Sequence, residues 1–198
     1  MPFKFLTAIT VTMMVLFLTA SASDKSTKLL VSVPLSHAFD YPVGPPNAKG
    51  YYNAQKFGKN DHLGDDWNGK GGGNTDLGDP VYAVSAGVVS FSEDLKGGWG
   101  NVIRIYHNIG SKQNPKYVES VYAHLKKRNV TVGTTIKRGD KIGTIGNAHG
   151  IYWAHLHFEI RTTIDMPIGG GYSKETKGYV DPTKFIRLHR KIKNNTLN

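Results

Sequence analysis

Cysteine is absent from the 198 residues of this chain. The fold therefore holds together without disulfides, no cysteine is available for bacterial lipid attachment, and a metal would find no thiolate, which leaves His, Asp and Glu as ligands. Acidic residues are scarce, 15 Asp and Glu against 25 Lys and Arg, giving a formal net charge of +10. That excess favours polyanionic surroundings such as a cell wall, acidic lipid or nucleic acid, although a solvated basic surface is the plainer reading. No nucleic-acid-binding signature accompanies the charge, so no nucleic-acid partner is expected. The glycine-rich stretch Gly69 to Asn74 lacks the spacing and the Lys-Ser/Thr ending of a phosphate-binding loop, which excludes a nucleotide site of that kind. No internal repeat is present, and long apolar runs are missing with one exception.

The exception lies near the start, where Lys4 precedes an uncharged, largely apolar run from Phe5 to Ala20, followed by the small-x-small pattern Ala20-Ser21-Ala22. Its strongly apolar part is short for a membrane span, and the pattern reads as a secretory signal peptide over residues 1–22. The expected destination is periplasmic or secreted, with no membrane contact once the leader is cleaved.

Residues 23–50 read as a loop-like lead-in, broken by Pro34, Pro42, Gly44, Pro45, Pro46 and Gly50, after which Tyr51, Tyr52 and Phe57 supply apolar anchors. After Pro80 the pattern turns to strands: Val81 to Phe91, Asn101 to His107, Lys116 to Leu125, Thr134 to Ile145 and Ala154 to Arg161 are rich in Val, Ile and Tyr and are separated by Gly, Asn and Asp turn signals. The expectation is a single, mainly β domain with a central antiparallel sheet and few short helices. Arg138-Gly139-Asp140 reads as a tight hairpin turn rather than an adhesion signal. Asp181-Pro182 supplies a helix N-cap and first residue, and Phe185, Leu188 and Ile192 then recur on one face, so residues 183–198 are expected to form a basic helix or tail. Its other face carries Lys184, Arg187, Arg190, Lys191 and Lys193.

The chemistry gathers in three short motifs. In His155-Leu156-His157 the two imidazoles fall on one face of an extended segment, while Leu156, Phe158 and Ile160 fill the other. Upstream, His62-Leu63-Gly64-Asp65-Asp66 offers an imidazole and a carboxylate around a glycine that allows tight folding. A third histidine, His124, ends the strand Val121-Tyr122-Ala123-His124. Two His and one carboxylate make a three-ligand catalytic metal set, but spacing alone does not say which histidine binds and which acts.

The ordered motifs His-x-Gly-x-Asp, Tyr122-Ala123-His124-Leu125 and His155-Leu156-His157-Phe158-Glu159 resemble the lysostaphin and LytM-type zinc metallopeptidases, which cut peptidoglycan cross-links. Gly78 to Val84, Ala86 to Val89, Gly100 to Ile103 and Lys137 to Gly143 resemble the same family's framework in the same order, so the resemblance covers about residues 51–182. It implies a lysostaphin-like peptidase fold with a metal-centred groove walled by loops, and one zinc ion held by His62, Asp66 and His157. It also implies that His124 and His155 are the catalytic groups beside the open position, one accepting the proton of the attacking water and the pair stabilising the oxyanion. Which does which stays open.

The function this resemblance implies is that of an exported, monomeric zinc endopeptidase acting on the peptides of bacterial peptidoglycan. The alternative is a non-catalytic wall-binding regulator that activates other hydrolases, and the filled ligand positions count against it. Residues 23–60 precede the first motif closely enough to reach the groove, and the bulky Tyr152 and Trp153 lie just before His155-Leu156-His157. Those aromatics stand where the family commonly has a small Ser-Thr-Gly-Pro-like run, so the groove wall is expected to differ. Trp67 is expected to pack and Glu159 to support a ligand from behind. Asp65, His107 and His149 are expected at the surface, and His37 and His189 have no partner in the sequence pattern.

Overall fold

The computed structural model describes residues 26–191. The expected leader, and the part of the tail carrying Ile192 and Lys193, lie outside the described residues. Residues 26–32 belong to a separate unit with a short helical stretch over 26–31; the rest of the description concerns the unit that begins at Val33.

The runs rich in β-branched and aromatic residues form two antiparallel sheets. Among the described residues, eleven strands occur in chain order: β1 (Tyr51–Gln55), β2 (Asp65–Gly69), β3 (Pro80–Tyr82), β4 (Gly87–Asp94), β5 (Asn101–Asn108), β6 (Tyr117–Leu125), β7 (Lys127–Arg128), β8 (Thr135–Ile136), β9 (Lys141–Thr144), β10 (Leu156–Arg161) and β11 (Tyr179–Val180). The large sheet runs β1-β2-β10-β6-β5-β4-β8 with β11 added to β10, and β3-β9-β7 forms a small second sheet. The mainly β, antiparallel expectation is met.

Two expected strands are each broken in two. Val81 to Phe91 divides into β3 and β4, and Thr134 to Ile145 divides at the turn where Gly139 takes a positive φ of 82° and the Lys137 amide donates to Asp140 (2.8 Å). Strands β1 and β2 were not expected, because their Asn, Gln, Asp and Gly residues carry no apolar alternation. Their pairing is imposed from outside, β2 lying between β1 and β10.

Leu156, Phe158 and Ile160 of β10 are fully buried and join Val89, Ile103, Ile105, Tyr122 and Ile145 in the main core. Trp67 packs there too, edge-on to Tyr41 with ring centres 5.2 Å apart. The lead-in adds Phe39, buried edge-to-face against Phe185 (5.1 Å) and His107 (5.3 Å). At about 25 cal/mol per Å² of apolar surface, aromatic side chains of this size are strong contributors to a core that has no disulfides.

The terminal helix, Pro182–Leu188, starts as the sequence predicts, with the Asp181 carboxylate accepting from the Lys184 amide at 2.8 Å. Its buried side differs from the expectation: Phe185 and Ile186 are buried, whereas Leu188 is 70% exposed. The helix is too short for the expected apolar stripe, and Phe39 draws Phe185 inward.

Asp65 is not the exposed neighbour expected; it is 1% exposed and accepts from the Phe57 amide and from both the amide and hydroxyl of Thr183. Satisfying a buried carboxylate in this way fastens the helix start onto β2. His107 is likewise interior, with Nδ1 2.8 Å from the Ala86 carbonyl and Nε2 2.7 Å from Ser120 Oγ. His149 pairs with Asp94 (3.1 Å), and His189 stacks on Phe185 with ring centres 4.0 Å apart.

Candidate metal centre and active site

Strand β10 lies between β2 and β6, in a register that sets His157 opposite Asp66 on one side and Ala123 on the other. With Leu156, Phe158 and Ile160 turned into the core, the two-residue period leaves His155, His157, Glu159 and Arg161 on the opposite face. His62 enters from the turn before β2, its amide donating to the Lys59 carbonyl (3.2 Å) and its backbone bridging to Tyr172. The glycine between His62 and Asp66 is needed for close approach: a Cβ on Gly64 would stand 2.6 Å from the Phe158 carbonyl oxygen and 3.0 Å from His157 Cε1.

Three lone-pair-bearing atoms converge. His62 Nε2 is 3.0 Å from His157 Nδ1 and 3.3 Å from Asp66 Oδ1, and the third edge, His157 Nδ1 to Asp66 Oδ1, is 3.1 Å. All three residues are buried. Ligand atoms around a tetrahedral zinc at ~2.0–2.1 Å stand about 3.3–3.4 Å apart, so the triangle has the size and the donor set of a three-ligand zinc site.

The far sides of the rings fix their orientation. His157 donates its Nε2–H to Glu159 Oε1 (3.0 Å), which turns the Nδ1 lone pair inward. His155 donates Nδ1–H to the Trp153 carbonyl (2.8 Å), leaving its Nε2 lone pair toward the site, 3.9 Å from Asp66 Oδ1. His155 thus stands outside the triangle, and the two imidazoles of His155-Leu156-His157 are not equivalent.

His124 completes the group, its ring centre 4.7 Å from that of His155 and 5.5 Å from that of His157. It sits at an irregularity in the β5–β6 register with a positive φ of 61°, and its amide donates to the Trp99 carbonyl at 3.0 Å. A non-glycine residue in that conformation stores backbone strain, a feature common at functional sites. Nδ1 of His124 and Nδ1 of His62 are buried without a hydrogen-bond partner among the described residues.

Electrostatics separate the rings. Without a metal, burial opposes a charge on His157, but hydrogen bonds to Asp66 and Glu159 outweigh it and raise its pKa to about 9, so a metal on Nδ1 would displace the proton shared with Asp66. Burial opposes ionisation of Asp66 too, yet the contacts with His157 and His62 hold its carboxyl far below the usual range. His124 moves the other way, to about 3, because burial and the neighbouring His157 and His155 disfavour its cation.

The centre floors an open groove. A cleft of about 750 Å³ on one side is lined by Asn68, Asn74, Asn147 and the Ile151-Tyr152-Trp153 run. A second, of about 440 Å³ on the other, is lined by Trp99, Gly170, Gly171 and Tyr172, and both include Gln55, Asp66, Tyr152 and His155. Of residues 33–60, Ala54 and Gln55 line the first cleft and Gln55 the second. Trp153 is 71% exposed, so it does not fill a core gap. Trp99 and Tyr172 were missed by sequence reasoning; Trp99, isolated among Gly97, Gly98 and Gly100, was the one available signal. Its ring stands 5.3 Å from His157, and Tyr172 stands 5.1 Å from His62.

Two imidazoles and a carboxylate converging beside two further imidazoles, on the floor of a groove, form the architecture of a metallohydrolase centre. The chain belongs to peptidase family M23, whose profile matches residues 67–176. The matched span starts just after Asp66 and so includes neither His62 nor Asp66. Lipoprotein NlpD of Yersinia enterocolitica is 37% identical over 42% of this chain and 78% of its own length. Peptidoglycan DD-endopeptidase ShyC of Vibrio cholerae is 34% identical over 42% of this chain and 17% of its own length. Among solved structures, the antimicrobial peptidase lysostaphin from Staphylococcus simulans matches with a TM-score of 0.54 and 25% identity, over 77% of this chain and 53% of that one. The chain thus spans about half of the lysostaphin chain and about a sixth of ShyC.

Proposed function

We propose that this protein is an exported zinc endopeptidase that hydrolyses cross-link or stem-peptide bonds of bacterial peptidoglycan as a monomer. The observation that carries the reading is the ion-sized triangle of His62 Nε2, Asp66 Oδ1 and His157 Nδ1, with His155 and His124 beside it on the groove floor. Family membership, the name of ShyC and the likeness to lysostaphin support the substrate class. The leader pattern supports export, and the net charge of +10 suits an anionic wall.

His62, Asp66 and His157 would hold the zinc. When bound, it supplies Lewis acidity to the attacking water and to the scissile carbonyl. His155, oriented by Trp153 with its Nε2 lone pair toward the site, takes the water proton and later returns it to the leaving amine. His124, kept neutral by burial, offers an imidazole N–H to the developing oxyanion. Tyr152 and Trp153 wall the wider cleft and contact the chain on that side of the bond.

Zinc-loaded protein incubated with isolated sacculi is expected to release muropeptides, chelator to stop the release, and mass analysis of the fragments to identify the bond. A zinc-loaded protein that binds sacculi and releases nothing would overturn the reading in favour of the regulatory alternative.

A further inference from the structure

The face of β10 that carries His155 and His157 continues into a buried ionic chain. Glu159 and Arg161 are both fully buried. Glu159 uses one oxygen for the Nε2–H of His157 (3.0 Å) and the other for Nε–H of Arg161 (2.7 Å). Arg161 then donates from its terminal nitrogens to the carbonyls of Pro167 (3.1 Å) and Ile168 (2.9 Å), with a longer contact to that of Met166. A metal ligand is therefore two side chains away from a loop backbone.

That loop forms a wall of the smaller cleft through Gly170, Gly171 and Tyr172. Four side chains hold the segment: Arg161 at Pro167 and Ile168, Arg104 at Met166, Tyr106 at Asp165 and Trp99 at Gly169. Arg161 is joined to His157 through the Glu159 carboxylate, a directional hydrogen-bonded link, whereas Trp99 meets His157 only by ring packing at 5.3 Å. A guanidinium with several donors in a fixed fork suits such a role; an ammonium on a flexible stem does not reproduce it.

We infer that Arg161 is a positioning residue that couples occupation of the metal site to the order of the groove wall at residues 164–172. The inference rests on the zinc reading of the triangle. Fixing the His157 ring by a ligand on Nδ1 fixes the direction of its Nε2–H and hence Glu159. A fixed Glu159 holds the Arg161 fork at one angle, and the fork sets the Pro167 and Ile168 carbonyls. Coupling of this kind is reciprocal, so whatever zinc does for the wall, the wall does for zinc affinity.

Backbone amide order parameters across 164–172, recorded by NMR with and without zinc while uptake is measured by chelator competition, test the inference. In the unaltered protein the values are expected to rise on zinc binding toward the ~0.85 of rigid backbone. In Arg161→Lys the zinc-dependent rise is lost and affinity falls about tenfold, within the range found for outer partners of metal ligands. A purely structural Arg161 would loosen the wall equally in both states and leave the zinc-dependent difference intact, which overturns the inference. Zinc uptake with no change at 164–172 in the unaltered protein overturns it alone and needs no variant; absence of zinc uptake overturns the zinc reading as well.

Discussion

Nε2 of His62 faces Nδ1 of His157 at 3.0 Å although the two residues are separated by 95 positions, and the carboxylate of Asp66 closes the triangle. One proton can satisfy only one edge of such an arrangement, whereas a cation satisfies all three corners together. His157→Ala is therefore expected to lower zinc affinity well beyond the ~10–100-fold that loss of an outer hydrogen-bond partner costs, with Glu159→Gln falling inside that range. Competition against a chromophoric chelator ranks the two variants. Equal, stoichiometric uptake by His157→Ala would remove His157 from the ligand set.

His155 sits 3.9 Å from Asp66 Oδ1 and is oriented by the Trp153 carbonyl, outside the triangle. His155→Ala should retain one zinc per chain and lose about 10²–10⁴-fold in kcat, the range for removal of a general base. Loss of zinc together with activity would make His155 a ligand instead.

Gly64 is held between β2 and β10 by contact rather than by backbone conformation, its missing Cβ leaving room for the Phe158 carbonyl and the His157 ring. Gly64→Ala pushes against strand backbone, which yields less readily than a side chain, so a destabilisation of about 1–3 kcal/mol is expected. Zinc affinity should fall in parallel, because the displaced strand carries His157. Gly170→Ala is the control, since nothing lies within 4 Å of a Cβ there. Calorimetric melting of both variants, without and with zinc, checks the pair; a Gly64→Ala protein that melts and binds like the control refutes the packing account.

The parts of this site that were legible share a local cause. Period two in His155 to Ile160 announces which residues face the metal and which face the core, and Asp181-Pro182 announces a helix start, because each needs only neighbouring residues. Strand β2 was not legible because Asp65 and Asp66 are buried by partners far along the chain: Thr183 is 118 positions from Asp65 and His157 is 91 from Asp66. Trp99 and Tyr172 reach the groove for the same reason, through loops whose position depends on Arg161 and Trp99 contacts. Leu188 misled because the helical period continued past the point where the core ends, and His107 because its strand is covered on both sides.

Buried His107 carries a consequence for acid stability. Burial pushes its pKa down from 6.5 to about 4, only partly offset by the hydrogen bond to Ala86. The unfolded chain therefore takes up a proton below about 6.5, while the folded protein refuses it until about 4. Stability is fully present above the unfolded pKa and falls as pH drops through that window, by about 3 kcal/mol at ~1.4 kcal/mol per pH unit. Urea midpoints measured from pH 7 down to 4.5 should decline more steeply for the native protein than for His107→Gln. That variant starts lower, having lost the fit between Ala86 and Ser120, but has no imidazole to charge at this position. His124 is common to both proteins and cancels in the difference. Parallel curves would mean that His107 contributes nothing to acid unfolding, and that its burial is relieved before the chain unfolds.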